Sequence, residues 1–144
     1  MEKRIIKFRS KCGHTGEWIY GNFINSKRFT GCSNEFRIHN IETGMESDVI
    51  PETVGQFTGL IDKNGKEIFE GDLIKLTGGL RLEFYPDNGQ IIFNEHSGSF
   101  VMKALNEHGV YMNFSLGYSD GTEIEVVGNI YENPNGFAEA GGKN

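Results

Sequence analysis

The sequence predicts a mainly β protein, built from consecutive hairpins that close into a sandwich or small barrel, with little helix. Three observations carry that expectation. The 144 residues include 20 Gly but only 3 Pro, which suits short strands and tight reversals better than a helical bundle. Turn signals recur at the spacing of about 8 to 12 residues expected of such folds. Most segments alternate apolar with polar residues, the period of a half-buried strand, and no window offers an amphipathic helix of three or more turns. With 37% hydrophobic residues, including 11 Phe, 5 Tyr and 1 Trp, the chain carries enough apolar surface to build a core.

In chain order, Ile5, Ile6 and Phe8 make a first strand, with Lys7 and Arg9 alternating as its wet face. Trp18, Ile19 and Tyr20, followed by Phe23 and Ile24, make a second, across a polar turn at Gly13-His14-Thr15-Gly16. Residues 36–41 alternate like a strand, in a region punctuated by Gly31, Asn34 and Gly44. The clearest landmark is residues 53–72. Two apolar runs flank Asn64-Gly65, a pair that tolerates the positive φ of a tight hairpin, and Gly71-Asp72 then turns the chain into Leu73-Ile74-Lys75-Leu76. Leu80, Leu82 and Phe84 alternate with Arg81 and Glu83 as a further strand. Pro86-Asp87-Asn88-Gly89 reads as the next turn, ahead of Ile91-Ile92-Phe93. Phe100, Met102 and Ala104 lead through Asn106-Glu107-His108-Gly109 to Val110, Met112 and Phe114. Asp120-Gly121 precedes a last strand over residues 123–131, and the Gly-rich end should fray.

The net charge of −6 is unevenly spread. Residues 1–40 hold eight basic groups against three acidic ones, a local charge of +5, which leaves −11 for the remainder. Such a division can bring two regions or two subunits together, offer a basic face to an anionic partner, or simply keep the chain dissolved. Two cysteines are too few for a disulfide framework, and the first residues lack the apolar run of a signal peptide, so a cytoplasmic location is expected. No run reaches the roughly 20 apolar residues that cross a bilayer.

Candidate chemistry is sparse. Cys12, His14, Cys32 and His39 are zinc-type ligands, but their spacing fits no usual knuckle, and free thiols with solvated imidazoles are the stronger reading. Asp62, Asn64 and Gly65 suggest a calcium loop, yet the sixth position would be Glu67 and the twelfth Leu73, so the hairpin reading wins. The four histidines, His14, His39, His96 and His108, mostly fall in turns, and there is no nucleophile elbow. Glu67, Glu70 and Asp72 lie in a short polar turn unsuited to desolvating a catalytic acid, and Asp72 should accept backbone bonds in its own turn. Gly55, Gly59, Gly65 and Gly71 belong to separate turns and make no phosphate cradle. No metal or cofactor is expected. The basic first forty residues with Trp18, Tyr20, Phe23 and Phe29 admit a single-stranded nucleic-acid surface, but these aromatics alternate as core positions do, and the acidic remainder repels phosphate.

Lys7-Phe8-Arg9, Gly16-Glu17-Trp18-Ile19-Tyr20-Gly21, the whole of residues 51–72, and Glu125-Val126-Val127-Gly128-Asn129-Ile130-Tyr131-Glu132-Asn133-Pro134 together resemble the signature blocks of the YopX family, in order and at plausible spacing over most of the chain. Two stretches depart from the family pattern. Lys11-Cys12-Gly13-His14 falls where the family is expected to vary, and Pro134-Asn135-Gly136-Phe137 replaces the usual Pro-Glu-Leu-Leu close, which weakens a terminal helix. The resemblance implies a phage or prophage protein with no assigned activity, whose C-terminal part is a small SH3-like barrel. The organisation expected is thus an N-terminal β region over residues 1–52 packed on an SH3-like barrel over 53–133, with a flexible tail over 134–144. Gly55, Gly59, Asn64, Gly65, Gly71 and Asp72 are the expected structural signature, and Lys7, Arg9, Trp18 and Tyr20 a candidate interaction surface. The function expected is that of a non-catalytic accessory protein that binds a protein partner or itself. Single-stranded nucleic-acid binding and an enzyme are the alternatives.

Overall fold

The computed structural model describes residues 2–26, 35–79, 85–116 and 121–136. It is mainly β, two antiparallel sheets with a 3-10 turn at Pro51–Thr53. The chain divides into two compact units, Met1–Gly59 and Leu60–Asn144, and the division falls inside a strand.

The first unit contains β1 (Phe8–Lys11), β2 (Trp18–Asn25), β3 (Phe36–His39), β4 (Glu46–Asp48), the 3-10 turn Pro51–Thr53 and most of β5 (Gly55–Ile61). The strands lie in the order β4-β3-β2-β1-β5. Tight polar turns connect them. Between β3 and β4, the Asn40 side-chain oxygen accepts the N–H groups of Glu42 and Thr43 at 2.9 and 3.0 Å, an Asx turn that reverses the chain locally. Gly21 answers a different need: a Cβ there would collide with the His39 carbonyl oxygen, so only glycine lets β3 approach β2 so closely. The 3-10 turn carries β5 back beside β1. Its buried Thr53 hydroxyl accepts the Lys11 N–H at 2.8 Å, lies 2.8 Å from the Ser10 hydroxyl and donates to the Ile50 carbonyl at 2.7 Å. On one face of this sheet the Phe23 ring lies 5.7 Å from Phe8 and 6.0 Å from Phe36, beside the buried Ile38.

In the second unit, the end of β5 passes through a turn at residues 62–66 into β6 (Glu67–Phe69). Then follow β7 (Asp72–Gly78), β8 (Asn88–Asn94), β9 (Ser99–Leu105), β10 (Tyr111–Ser115) and β11 (Thr122–Asn129). The sheet order β10-β9-β8-β7-β11 makes a meander whose last strand returns beside the first. Ile68, Ile74, Leu76, Ile91, Met102, Ala104, Phe114 and Leu116 form its buried cluster. These positions repeat at every second residue of β7 and β9, which is why alternation in the sequence exposes them.

Residues 86–89 do not form the turn that their composition suggests. Asn88 and Gly89 pair within the ladder, opposite Lys75 and Ile74. Gly89 is there for space: a Cβ would strike Met102 Cγ and come 2.7 Å from the Lys103 carbonyl. The strand expected over residues 80–84, Cys32, and the end of the chain beyond residue 136 lie outside the described residues. Up to that point the end is tied, since the Asn133 N–H donates to the Asn129 carbonyl at 2.9 Å and the Gly136 N–H to Asn133 at 2.8 Å. Among the described residues no helix is long and apolar enough to cross a membrane.

Candidate interaction surface

Strand register sets which side chains of the first unit share a face. In the β1–β2 ladder, Arg9 lies opposite Tyr20 and Lys11 opposite Trp18, so Lys7, Arg9 and Lys11 form one row and Trp18 and Tyr20 the row beside it. The Arg9 guanidinium sits 4.6 Å from the Trp18 ring centre and the Lys11 ammonium 5.6 Å from it, while the Lys7 ammonium lies 5.6 Å from the ring of Phe57. Tyr20 is exposed and Trp18 half-buried, but Arg9 is buried. The face is therefore a ribbon of cations beside aromatic rings, with the Trp18 and Phe57 rings partly screened by the protein's own charges. Acidic groups occupy the far strands. Arg37 Nε donates to Glu46 at 3.2 Å, His39 lies 3.9 Å from the same carboxylate, and His14 Nε2 lies 3.4 Å from Asp48.

The residues of the central landmark serve the backbone. Gly59, Gly65 and Gly71 have φ of +87°, +82° and +87°, whereas Gly55 lies within β5 opposite Arg9. Asp62 is the hub of the hairpin turn. One carboxylate oxygen accepts the N–H groups of Asn64 and Lys66 at 2.8 and 2.9 Å, and the other accepts that of Val126, on β11, at 3.0 Å. Burial acts to raise its pKa, but the Val126, Lys66 and Asn64 N–H groups outweigh it and hold the carboxyl below the ordinary aspartate value. Asp72, fully buried, accepts the Phe69 N–H at 2.8 Å. Facing it across the β7–β11 ladder is Asn129, whose side-chain oxygen accepts the N–H groups of Tyr131 and Glu132 at 3.1 and 3.0 Å. The Gly71 carbonyl accepts the Ile130 N–H at 2.9 Å, and a Cβ on Gly71 would come 2.9 Å from the Tyr131 ring. Two blocks more than fifty positions apart thus close on each other through main-chain bonds.

Among the described residues each unit carries a concavity. One, of about 390 Å³, is bordered in the second unit by Leu73, Gln90, Lys103, Leu105, Tyr111 and Asn135, with the Lys103 ammonium 4.7 Å from the Tyr111 ring centre. The other, of about 230 Å³, is bordered in the first unit by Ile19, Ile38, Asn40 and Met45. Among the described residues no three metal-ligating side chains converge. Cys12 is buried, with its thiol held below the usual value by backbone N–H groups of Thr15 and His14. Sequence reading missed Thr53 and the Lys103–Tyr111 pair. The first entered only as the start of the landmark over residues 53–72, with no contact assigned to it, and the second needs the β9–β10 register to be seen.

Comparison with known proteins supplies a family and a fold. A family model described as "YopX protein" matches residues 7–137. The crystal structure of protein EF1440 from Enterococcus faecalis is similar over 92% of this chain and 97% of that one, with 24% identity and a TM-score of 0.50, a likeness of fold. No curated protein matches.

Proposed function

Since the chain belongs to the YopX family, we propose that it is a phage- or prophage-encoded accessory protein that works in the host cytoplasm as a non-catalytic interaction module, its second unit a small SH3-like barrel. One observation carries this reading. The polar side chains of the signature blocks that chemistry would need, Asp62, Asp72 and Asn129, accept main-chain N–H groups. A carboxylate spent on holding a turn is a poor general base, because taking up a proton costs it those bonds. What remains for recognition is surface. The Lys7, Lys11, Trp18 and Tyr20 face combines cationic and aromatic groups, the types enriched where proteins meet.

The same face supports a second reading, single-stranded nucleic acid, because cations beside aromatics are the ingredients of a stacking groove. The rings weigh against it. Arg9 and Lys11 already lie near Trp18, so a base would have to displace them to stack.

The test is capture of partners from host cells on the tagged full chain, with a nuclease-treated arm and a Lys11→Glu variant. A protein that co-purifies in constant proportion, survives nuclease and is lost from the variant is the expected result. Loss of the captured material on nuclease treatment transfers the site to nucleic acid. Turnover of a substrate by the purified protein would end the non-catalytic reading.

A further inference from the structure

The sequence places glycine directly after asparagine three times, at Asn64-Gly65, Asn88-Gly89 and Asn135-Gly136. Asparagine is among the chemically labile residues, and most of all before glycine, whose main-chain nitrogen no side chain shields. The fold treats the first two pairs in opposite ways. Asn88-Gly89 lies inside β8, opposite Lys75 and Ile74 of β7. Gly89 is buried, and a Cβ on it would strike Met102 Cγ and come 2.7 Å from the Lys103 carbonyl, so the peptide joining the two residues has no room to turn. Asn64-Gly65 stands at the exposed end of the β5–β6 hairpin. A Cβ on Gly65 would meet nothing within 4 Å, and the Gly65 N–H donates to the Asp62 carbonyl at 3.0 Å. Among the described residues the Asn64 side-chain amide meets no hydrogen-bonding partner.

We propose that Asn64 is a site of spontaneous covalent modification, at which the main-chain nitrogen of Gly65 attacks the Asn64 side-chain carbonyl carbon. The nitrogen gives its proton to water, and the new N–Cγ bond closes a succinimide ring. The bond from Cγ to Nδ2 breaks, and the amide leaves as ammonia after taking a proton from water. Water then opens the ring at either carbonyl. One product is aspartate and the other isoaspartate, whose main chain is longer by a methylene. To reach attack, the Asn64–Gly65 peptide has to swing out of the turn and give up the bond to Asp62. At Asn88 the same swing has to open the ladder to β7 and the packing against Met102, a larger local unfolding.

The turn gives this chemistry a consequence. One carboxylate oxygen of Asp62 takes the N–H groups of both Asn64 and Lys66, at 2.8 and 2.9 Å. An extra methylene in the main chain between those donors pulls them apart, so isoaspartate loosens a clamp whose other oxygen holds the Val126 N–H of β11. The site shares no residue with the interaction surface, and it stands or falls separately from the function proposed above.

The test incubates the full chain at mildly alkaline pH, folded and in urea, and follows each asparagine-glycine pair as a separate peptide by mass spectrometry. In the folded protein Asn64 should convert at least about tenfold faster than Asn88, and urea should bring the two within about threefold, because local opening is what separates them. As isoaspartate accumulates at Asn64, the urea unfolding midpoint should fall. Asn64→Gln, whose longer side chain closes the ring far more slowly, should hold its midpoint through the same incubation. Asn64 left intact in the folded chain, or conversion at Asn88 that keeps pace with it, overturns the site. A ratio that persists undiminished in urea overturns the part played by the fold, and a midpoint that falls equally in the parent and in Asn64→Gln overturns the link to the Asp62 clamp.

Discussion

The two units of this protein reach order by different means. In the second, Ile68, Ile74, Ile91 and Met102 are wholly withdrawn from solvent and touch one another across the sheet. In the first, the buried set mixes Ile38 and Phe57 with Arg9, Ser10, Arg37 and Thr53, and three phenylalanines are only half-buried. One unit is held mainly by apolar burial, which has no direction. The other leans on hydroxyl bonds and ring contacts, which do. A sheet secured by directional contacts can leave one face open to a partner, and the cationic ribbon lies in that unit.

The sharpest way to break the contrast is to delete one apolar side chain from each. Ile91→Ala should cost about 2–5 kcal/mol in urea unfolding followed by far-ultraviolet circular dichroism, because the site is fully closed and cannot collapse around the lost methyl groups. Phe23→Ala should cost about 1–3 kcal/mol, followed by the fluorescence of Trp18, since a half-buried ring gives up only part of its area from water. Equal losses would remove the distinction.

Deleting a polar contact should reverse the emphasis. Thr53→Val keeps the shape but takes from the Lys11 N–H its hydroxyl acceptor and removes the bond between the Thr53 and Ser10 hydroxyls, at a cost of about 1–3 kcal/mol. Its counterpart in the second unit is Asp62, where the consequence depends on pH. A carboxyl whose folded pKa is held below the unfolded value adds stability that is fully present above the ordinary aspartate range and fades as pH falls through the folded value. Unfolding midpoints taken between about pH 6 and pH 2 should therefore decline more steeply in the parent than in Asp62→Asn, which has no proton to take up. Parallel curves would mean that the turn gains nothing from the charge.

How much of this could be read from residues alone differed between the units for the same physical cause. Alternation at Ile74, Leu76, Met102 and Ala104 is a two-residue signal, visible wherever one face of a strand is buried and the other wet. It named much of the second unit's core, while the Asn64-Gly65 pair marked the hairpin. It could not find β4, three residues with no apolar member, nor the 3-10 turn, whose purpose is to place Thr53 against β1 forty residues away. Gly89 misled for a related reason. A glycine beside Asn, Asp and Pro carries the composition of a turn, but this one is required by Met102 on a neighbouring strand, a demand no local window contains. The candidate surface was legible as residue types at Lys7, Arg9, Trp18 and Tyr20. That Arg9 is buried and lies over Trp18 follows from register, which the sequence states only indirectly.

The smallest effect serves as the control for the whole comparison. Gly44, in the first unit, and Gly65, in the second, have φ of +71° and +82°, and an added Cβ would meet nothing within 4 Å at either site. Alanine there should bring only the local penalty of a left-handed backbone, about 1–2 kcal/mol. Since that penalty arises between a residue and its own peptide groups, it should be alike in both units, whatever lies beneath the turn. A loss at Gly65 well above that at Gly44 would mean that the Asp62 clamp amplifies strain in its turn, and the stability of the second unit would then rest on its hairpin as well as on its core.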